Sequence, residues 1–299
     1  MPLLRAEAEK LSNNQLLRGV ITEIIDKDDM FAILPFTQVN GKAYVYNREG
    51  ELADGQWLDP NDEVPESASK FVEVTTKLRI LAGDVDVDKF LASTMGDTNP
   101  QKALQIAAKA KGMSRQYRAA LVEGDSTTNA KQFDGLKKLV TTTQTLDVKG
   151  SALTFSMLDE LVDAVPLKPD CLIMRSGTYR AYLQLLRATS GTNAPLVMLK
   201  NFGHPMLTHN GVPIIVNDYI KTDTASSGSD PATCYIYAAR FNEVDGVHGL
   251  FGGPNAGMVV EDIGTVQNKD ATRTRIKWYC GLALKSTKSL AALKGVPNI

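Results

Sequence analysis

The segment that decides the fold is residues 47–67, NREGELADGQWLDPNDEVPES, which joins two runs of strand-like sequence. These runs, residues 43–46 and 71–80, alternate apolar and polar side chains, and this period of two indicates antiparallel strands. Most connections between elements have about 4–6 residues, and those beyond ~15 usually carry a function. This connection is far longer and holds seven acidic residues and one basic residue. We therefore predict that it is the tip of an extended two-stranded arm.

Composition and charge indicate a globular chain with no strong preference for nucleic acid. The 299 residues are 43% hydrophobic and 22% charged, which is ordinary for a folded protein. The formal net charge of −1, from 33 basic and 34 acidic residues, argues against a dedicated nucleic-acid binder but leaves weak contact open. No window approaches the ~20 apolar residues of a transmembrane helix, and the N-terminus lacks the apolar core of a secretory signal. No membrane association is expected.

An N-terminal helix is predicted around Ser12 and Gln15, which have the spacing of a capping box. Its apolar residues recur at helical spacing and form one stripe: Leu16, Leu17, Val20, Ile21 and Ile24. Two interpretations remain open for this stripe. It either packs on the core of its own subunit or belongs to an arm that docks on a neighbouring subunit.

A long helix is predicted from Asn99, a favourable N-cap, and Pro100, which suits the first helical position. Apolar residues recur at helical spacing from Ala103 to Leu121, and Gly124 is a typical stop signal. About 24 helical residues span roughly 36 Å. Five basic residues lie mostly off the apolar stripe: Lys102, Lys109, Lys111, Arg115 and Arg118.

From residue 151 onward the sequence pattern alternates between helices and strands. Helices are predicted to open at Ser156 and Ser176. Short buried strands are predicted at residues 171–174, 212–216 and 234–238. A long final strand is predicted at residues 274–284, where apolar side chains alternate with basic and polar ones.

This order of elements resembles the major capsid proteins of tailed double-stranded DNA bacteriophages, whose fold is named after phage Hong Kong 97. Three segments add to the resemblance: FDGLKKLV at 133–140, NGVPIIVNDYI at 210–220 and IKWYCGLALKSTKSLAALKGV from Ile276. The resemblance implies an α+β fold with an extended two-stranded loop, a peripheral domain with a long spine helix, and a mixed α/β apical domain. The implied segments are an N-terminal arm at 1–40, the extended loop at 41–90, the peripheral domain at 91–150 with its spine helix at 100–123, the apical domain at 151–254, and return strands with a C-terminal tail at 255–299.

The resemblance also implies a structural, non-enzymatic function. Copies would self-assemble as hexamers and pentamers into an icosahedral shell around the viral DNA, in the cytoplasm of the bacterial host, and remain in the virion capsid. The implied partners are a portal protein, an optional decoration protein and the packaged double-stranded DNA, contacted non-specifically. Many relatives carry a cleavable N-terminal scaffolding segment for which this chain has no room, so a separate scaffolding protein or none is expected. No lysine–asparagine pair matches the covalent cross-link of the founding member, so non-covalent locking is expected.

Two surfaces are expected to contact neighbouring subunits in such a shell. The first is the acidic tip of the extended loop, formed by Glu49, Glu51, Asp54, Trp57, Asp59, Asp62 and Glu63. An acidic surface pairs favourably with a basic one, so the five basic residues of the spine helix are the expected contact surface for the tip. The second is the N-terminal apolar stripe.

Motifs for catalysis and metal binding are absent from the sequence. It has no nucleophile elbow, HExxH, P-loop or dinucleotide-binding motif. Asp84, Asp86 and Asp88 have the spacing of the first three ligands of a calcium-binding loop. Lys89, however, stands where that loop requires glycine, and Met95 stands where it requires glutamate. A strand with a carboxylate face is favoured there, and the glycine-rich residues 249–257 are expected to be a loop. We expect no cofactor and no metal.

The remaining reactive residues are expected to be structural. Cys171, Cys234 and Cys280 lie in apolar strand-like runs, so they are predicted to be buried in a protein of a reducing compartment. His204, His209 and His248 are expected on the surface or in turns. Two alternatives to a phage capsid stay open: an encapsulin-type shell that encloses a cargo enzyme, and a small-molecule α/β enzyme built on residues 151–254.

Overall fold

The computed structural model describes residues 29–51, 53–60, 62–63, 66–94, 101–188, 196–198, 205–223 and 232–298. Within these ranges the helices are α1 (Asp29–Ile33), α2 (Lys89–Thr94), α3 (Gln101–Glu123), α4 (Leu136–Leu139), α5 (Phe155–Asp163) and α6 (Ser176–Ala188). The strands are β1 (Phe36–Val39), β2 (Ala43–Glu51), β3 (Lys70–Lys77), β4 (Arg79–Asp88), β5 (Thr145–Asp147), β6 (Cys171–Met174), β7 (Leu196–Met198), β8 (Pro205–His209), β9 (Val212–Val216), β10 (Thr233–Ala239), β11 (Val247–Gly252), β12 (Met258–Thr265), β13 (Ala271–Leu284) and β14 (Leu290–Pro297). They form two large sheets and a separate two-stranded ribbon.

The first sheet packs against the long helix α3. Its strands run in the order β1-β11-β13-β12, and β4 also pairs with β13. The period of two along β13 turns Ile276 and Trp278 inward, and the Trp278 ring lies 4.3 Å from the Tyr117 ring of α3. The helix predicted as the spine therefore buries one face on this sheet. The predicted apolar stripe from Ala103 to Leu121 includes Ala103 and Ala107, but both of these alanines are exposed.

The second sheet carries helices α5 and α6. Its strands run in the order β5-β14-β10-β6-β9-β8-β7. Leu158 and Leu161 of α5 and Tyr182 of α6 are buried in the same core cluster as strands β6, β9, β10 and β14. Helix α5 is capped two residues earlier than predicted, since the side chain of Thr154, not that of Ser156, accepts from a backbone amide of the first turn.

Part of the predicted N-terminal arm belongs to the core of its own subunit. Met30 and Phe31 of α1 are buried, and β1 pairs in parallel with β11. The Phe36 ring lies against Gly249, where a Cβ atom would come within 2.4 Å of the ring, so this strand position requires glycine. The apolar stripe of Leu16, Leu17, Val20, Ile21 and Ile24 lies outside the described residues, and its docking stays a prediction.

Strand pairing departs from the predicted segment boundaries in two places. Strand β11, which had been assigned to the end of the apical domain and to a glycine-rich loop, pairs with β13 in the first sheet. Strand β14, which had been assigned to the C-terminal tail, lies between β5 and β10 in the second sheet. Its run of buried apolar residues is typical of an interior strand.

The extended loop forms the separate ribbon, in which β2 and β3 pair antiparallel from Ala43↔Lys77 to Glu51↔Lys70. The strand predicted at 71–80 is in fact two strands, because the chain leaves the ribbon at Leu78. The Leu78 amide donates to the Lys42 carbonyl at 3.3 Å, and its side chain packs beside Leu250. Strand β4 then continues in the first sheet.

Candidate assembly surfaces

The base of the ribbon is fixed to the end of β13 by side-chain hydrogen bonds. The Tyr46 hydroxyl donates to the Leu284 carbonyl at 2.5 Å. The Arg48 guanidinium donates to the carbonyls of Leu284 and Lys285 at 2.7 and 2.8 Å. The Tyr44 ring meets the buried His248 ring edge-on, with ring centres 5.6 Å apart. These contacts fix the direction in which the ribbon leaves the body.

The ribbon exposes apolar side chains on both of its faces. Val45 and Phe71 share one face and are 52% and 64% exposed, and Val72 on the other face is 53% exposed. A two-stranded ribbon without further packing is marginally stable in water. Burial of this apolar surface against another molecule would therefore stabilise the ribbon.

The tip extends the ribbon past its strands and ends in a closed turn. The Ala53 amide donates to the Ser69 hydroxyl at 3.0 Å, which keeps the two arms together. At the far end the Asp62 amide donates to the Asp59 carbonyl at 3.1 Å, and the Asp59 amide donates to the Asp62 carboxylate at 2.9 Å. This turn gives the tip a defined shape.

The tip presents one large aromatic side chain among carboxylates. Trp57 is fully exposed, and Leu58 beside it is 42% exposed. The predicted acidic residues with described side chains are exposed: Glu49, Asp54, Asp59, Asp62 and Glu63. Glu51 contributes its backbone to β2. Because tryptophan is enriched among the residues that dominate binding at interfaces, this surface has the composition of a contact site.

The five basic residues of α3 differ in exposure and in their ion-pair partners. Lys102 forms an ion pair with Asp262 at 2.8 Å, and Arg118 is half-buried. The exposed members are Lys109, Lys111 and Arg115. Their contact with the acidic tip stays a prediction.

A ladder of ion pairs joins β4 to β13 on the sheet face opposite to the one that carries Ile276 and Trp278. Arg275 donates twice to Asp84, at 2.6 and 2.8 Å, and Arg273 donates twice to Asp86, at 2.6 and 2.7 Å. These hydrogen bonds lower the pKa of both carboxyl groups. The predicted carboxylate face at 84–88 is thus confirmed as part of a strand. Because the paired side chains are about one-third exposed, they contribute little to stability, and their main effect is to fix the register of β4 against β13.

A pocket of about 360 Å³, which the sequence did not reveal, lies at the C-terminal end of α3. Its inner wall includes the buried rings of Tyr117 and Phe133, and Ile80 is 67% exposed at its edge. Three basic residues also line it: Arg79, Lys131 and Lys221. They come from the start of β4 and from two loops, so no local motif could have indicated the pocket.

The three cysteines are structural. Cys171, Cys234 and Cys280 are buried as predicted, and burial raises the pKa of each thiol. A thiol with a raised pKa yields little of the reactive thiolate. In the described part of the chain, no group of three or more His, Cys, Asp or Glu residues is arranged to hold a metal ion.

The prediction that the histidines lie on the surface or in turns is wrong for His209 and His248, which are buried residues of β8 and β11. His209 and His248 are 6% and 0% exposed. The His209 ring is held through both nitrogens, by Asp159 at 2.9 Å and by Tyr182 at 3.2 Å, and such bonding offsets the cost of burying a polar ring. His204 lies outside the described residues.

No helix in the described ranges is long and apolar enough to cross a membrane.

No protein-family model and no curated protein matches this sequence. Solved structures do match it. The holo-SrpI encapsulin complex from Synechococcus elongatus is 20% identical, with a TM-score of 0.72 over 98% of this chain and 95% of that chain. The capsid of a native GTA particle is 15% identical, with a TM-score of 0.63 over 88% of both chains. A structure from Mycobacterium phage Bobi is 13% identical, with a TM-score of 0.60 over 98% of this chain and 99% of that chain.

The chain has the Hong Kong 97-type capsid fold. The α+β architecture expected from the order of elements is confirmed over nearly the whole chain. Within the Hong Kong 97-type fold the ribbon β2–β3 is the extended loop, α3 is the spine helix, and the first sheet is the sheet on which the spine helix packs.

Proposed function

We propose that the protein is a structural subunit that self-assembles into a closed shell. The observation that carries this proposal is the ribbon, which projects from the body with Val45, Phe71 and Val72 exposed and ends in the exposed Trp57. Burying one large apolar side chain contributes about 1.5–3 kcal/mol, so the ribbon favours contact with a partner surface. Further copies of the chain are the proposed partner, because the similar structures include an encapsulin and a capsid.

For the contents of the shell we propose a double-stranded DNA genome. The subunit would form hexamers and pentamers of a virion capsid assembled in the cytoplasm of a bacterial host. A portal protein, a separate scaffolding protein and an optional decoration protein are the further proposed partners. The net charge of −1 is consistent with a container that contacts phosphate weakly and without sequence preference. No catalytic role is proposed.

A second candidate is an encapsulin-type shell that encloses a cargo enzyme. One observation favours it: the TM-score to the SrpI encapsulin is 0.72, against 0.63 and 0.60 for the GTA capsid and the Mycobacterium phage Bobi structure. The third alternative, an α/β enzyme built on residues 151–254, gains no such support, since most of the lining of the 360 Å³ pocket comes from outside that segment.

Size-exclusion chromatography with light scattering, followed by negative-stain imaging of the leading peak, tests shell formation. Closed shells, tubes or discrete pentamers and hexamers are expected. A monomer that stays monomeric even with its genomic neighbours co-expressed would contradict the proposal. For shells isolated from the native source, nuclease-resistant DNA would indicate a capsid, and a co-purifying cargo protein would indicate an encapsulin.

A further inference from the structure

We infer that the tip of the ribbon seats Trp57 in the 360 Å³ pocket at the end of α3 on a second copy of this chain. The inference rests on the proposed shell function and deepens it by naming the receiving surface. That surface differs from the expected one, the bases along α3, because it combines an apolar wall with basic residues.

The ribbon itself places Trp57 far from the pocket of its own chain. Arg79 and Ile80 of the pocket follow two and three residues after β3 ends at Lys77, so the pocket lies at the base of the ribbon. The eight residues of β3 span roughly 26 Å at about 3.3 Å each. The Ser67 hydroxyl donates to the Asp54 carbonyl at 3.1 Å, which extends the ribbon further before Trp57 is reached. A second copy is therefore the source of the tip that reaches this pocket.

The pocket has the shape and composition that an indole ring requires. Its volume of about 360 Å³ falls in the range of ~300–1,000 Å³ that is typical of binding pockets. Ile80, which is 67% exposed, supplies apolar surface at the edge, and the nearly buried rings of Tyr117 and Phe133 close the inner end of the pocket. Gln116 and Gln132 also line it and carry side-chain oxygens that can accept from an indole N–H.

The charge of the pocket is opposite to that of the tip. Arg79, Lys131 and Lys221 line the pocket against one acidic residue, Glu123. The Glu123 carboxylate is already occupied, since it accepts from the Lys221 amide at 3.1 Å and lies 3.5 Å from the ammonium group of Lys137. The pocket therefore presents a net positive charge to an incoming group. The carboxylates beside Trp57 supply the complementary charge.

One basic group in the pocket lacks a partner within the described residues. The Nε atom of Arg79 is buried and makes no hydrogen bond there. A buried donor without an acceptor is costly, and an acceptor that satisfies it recovers that cost. Because this atom is shielded from solvent, an oxygen from the tip of a second copy becomes its acceptor only when the Arg79 side chain turns outward on binding.

Disulfide trapping in assembled protein tests the contact directly. The three native cysteines are buried, so oxidant acts on introduced pairs. We expect Leu58→Cys, which keeps Trp57, combined with Gln132→Cys to give a ladder of covalently linked subunits on a non-reducing gel. The matched control is Leu58→Cys combined with Val244→Cys, because Val244 is 77% exposed and lies outside the pocket. The absence of a ladder, or an equal ladder from the control pair, would overturn the inference.

Charge reversal supplies a second test with a rescue. We expect Lys131→Glu with Lys221→Glu to abolish assembly, and Asp59→Lys with Glu63→Lys on the same chain to restore it. Trp57→Ala should raise the subunit concentration needed for assembly about 30-fold, the loss typical of a dominant interface residue, and Trp57→Phe should raise it much less. Normal shells from the reversed pocket would overturn the inference and leave the shell function standing. Failure of the unaltered protein to assemble would contradict both.

Discussion

The guanidinium of Arg48 donates to the carbonyl oxygen of Leu284 at 2.7 Å, and this bond joins residues 236 positions apart. Together with the bond to Lys285 it fixes the ribbon to the body. Arg48→Ala should cost about 1.5–3 kcal/mol of local stability, since each bond involves a charged donor. Hydrogen exchange in β2 and β3 should become faster, while the rest of the subunit keeps its protection. Arg187→Ala, which removes an exposed arginine at the end of α6, is the control and should change neither. Equal exchange in both variants would show that Arg48 does not hold the ribbon.

Substituting alanine for two different glycines should change the stability of the subunit in opposite directions, because Gly249 contacts the Phe36 ring and Gly112 does not. Gly249→Ala forces a methyl group against the Phe36 ring and should destabilise the dissociated subunit by about 1–3 kcal/mol. Gly112→Ala meets no atom within 4 Å on the exposed side of α3 and should stabilise it by about 0.5–1 kcal/mol. Urea unfolding of both variants measures the two shifts. A loss of stability in both would indicate that the close approach to Phe36 is not the cause.

The buried His248 predicts a loss of stability on mild acidification. Burial lowers its pKa below the ordinary 6.5, the nearby Lys285 charge acts in the same direction, and the bond to the Gly246 carbonyl and the Glu243 charge oppose both. The unfolded chain therefore binds a proton below about pH 6.5 that the folded chain does not, so stability falls as pH drops through this value. The melting temperature should decline more between pH 7 and pH 5 in the unaltered protein than in His248→Gln. Parallel curves would rule out His248 as the source.

Because the three cysteines are buried, we expect the folded protein not to react with thiol reagents. Cys171, Cys234 and Cys280 should not react with an aromatic disulfide reagent in the folded state, because burial both blocks access and raises each thiol pKa. Three thiols per chain should react after unfolding in guanidinium. Rapid labelling of any of them in folded protein would contradict the burial.

The long periodic elements could be predicted from the sequence because one local pattern determines each of them. The stripe of α3 and the alternation in β13 indicate the element and its buried face together. Strand β14 was missed because its apolar run looks like a tail until β10 and β5 pair with it on either side. The break at Leu78 was missed because the alternation continues through it, and the two strands differ only in their partners, since β3 pairs with β2 and β4 pairs with β13.

The candidate contact site also has one part that a local sequence pattern indicates and one part that it does not. The acidic tip is continuous in sequence, so its composition alone indicates a contact surface. The pocket is not continuous in sequence: Arg79 begins β4 of the first sheet, Lys131 lies in a loop after α3, and Lys221 follows β9 of the second sheet. His209 was misjudged as exposed because its partners, Asp159 and Tyr182, lie on two different helices.

The most direct test of the central claim is negative-stain imaging of the full chain beside a variant that lacks residues 49–66. Circular dichroism of the variant checks that the body remains folded. We predict closed shells from the full chain and a soluble, folded subunit without stable shells from the variant. Normal shells from the variant would contradict the account, because the ribbon tip would then have no part in assembly.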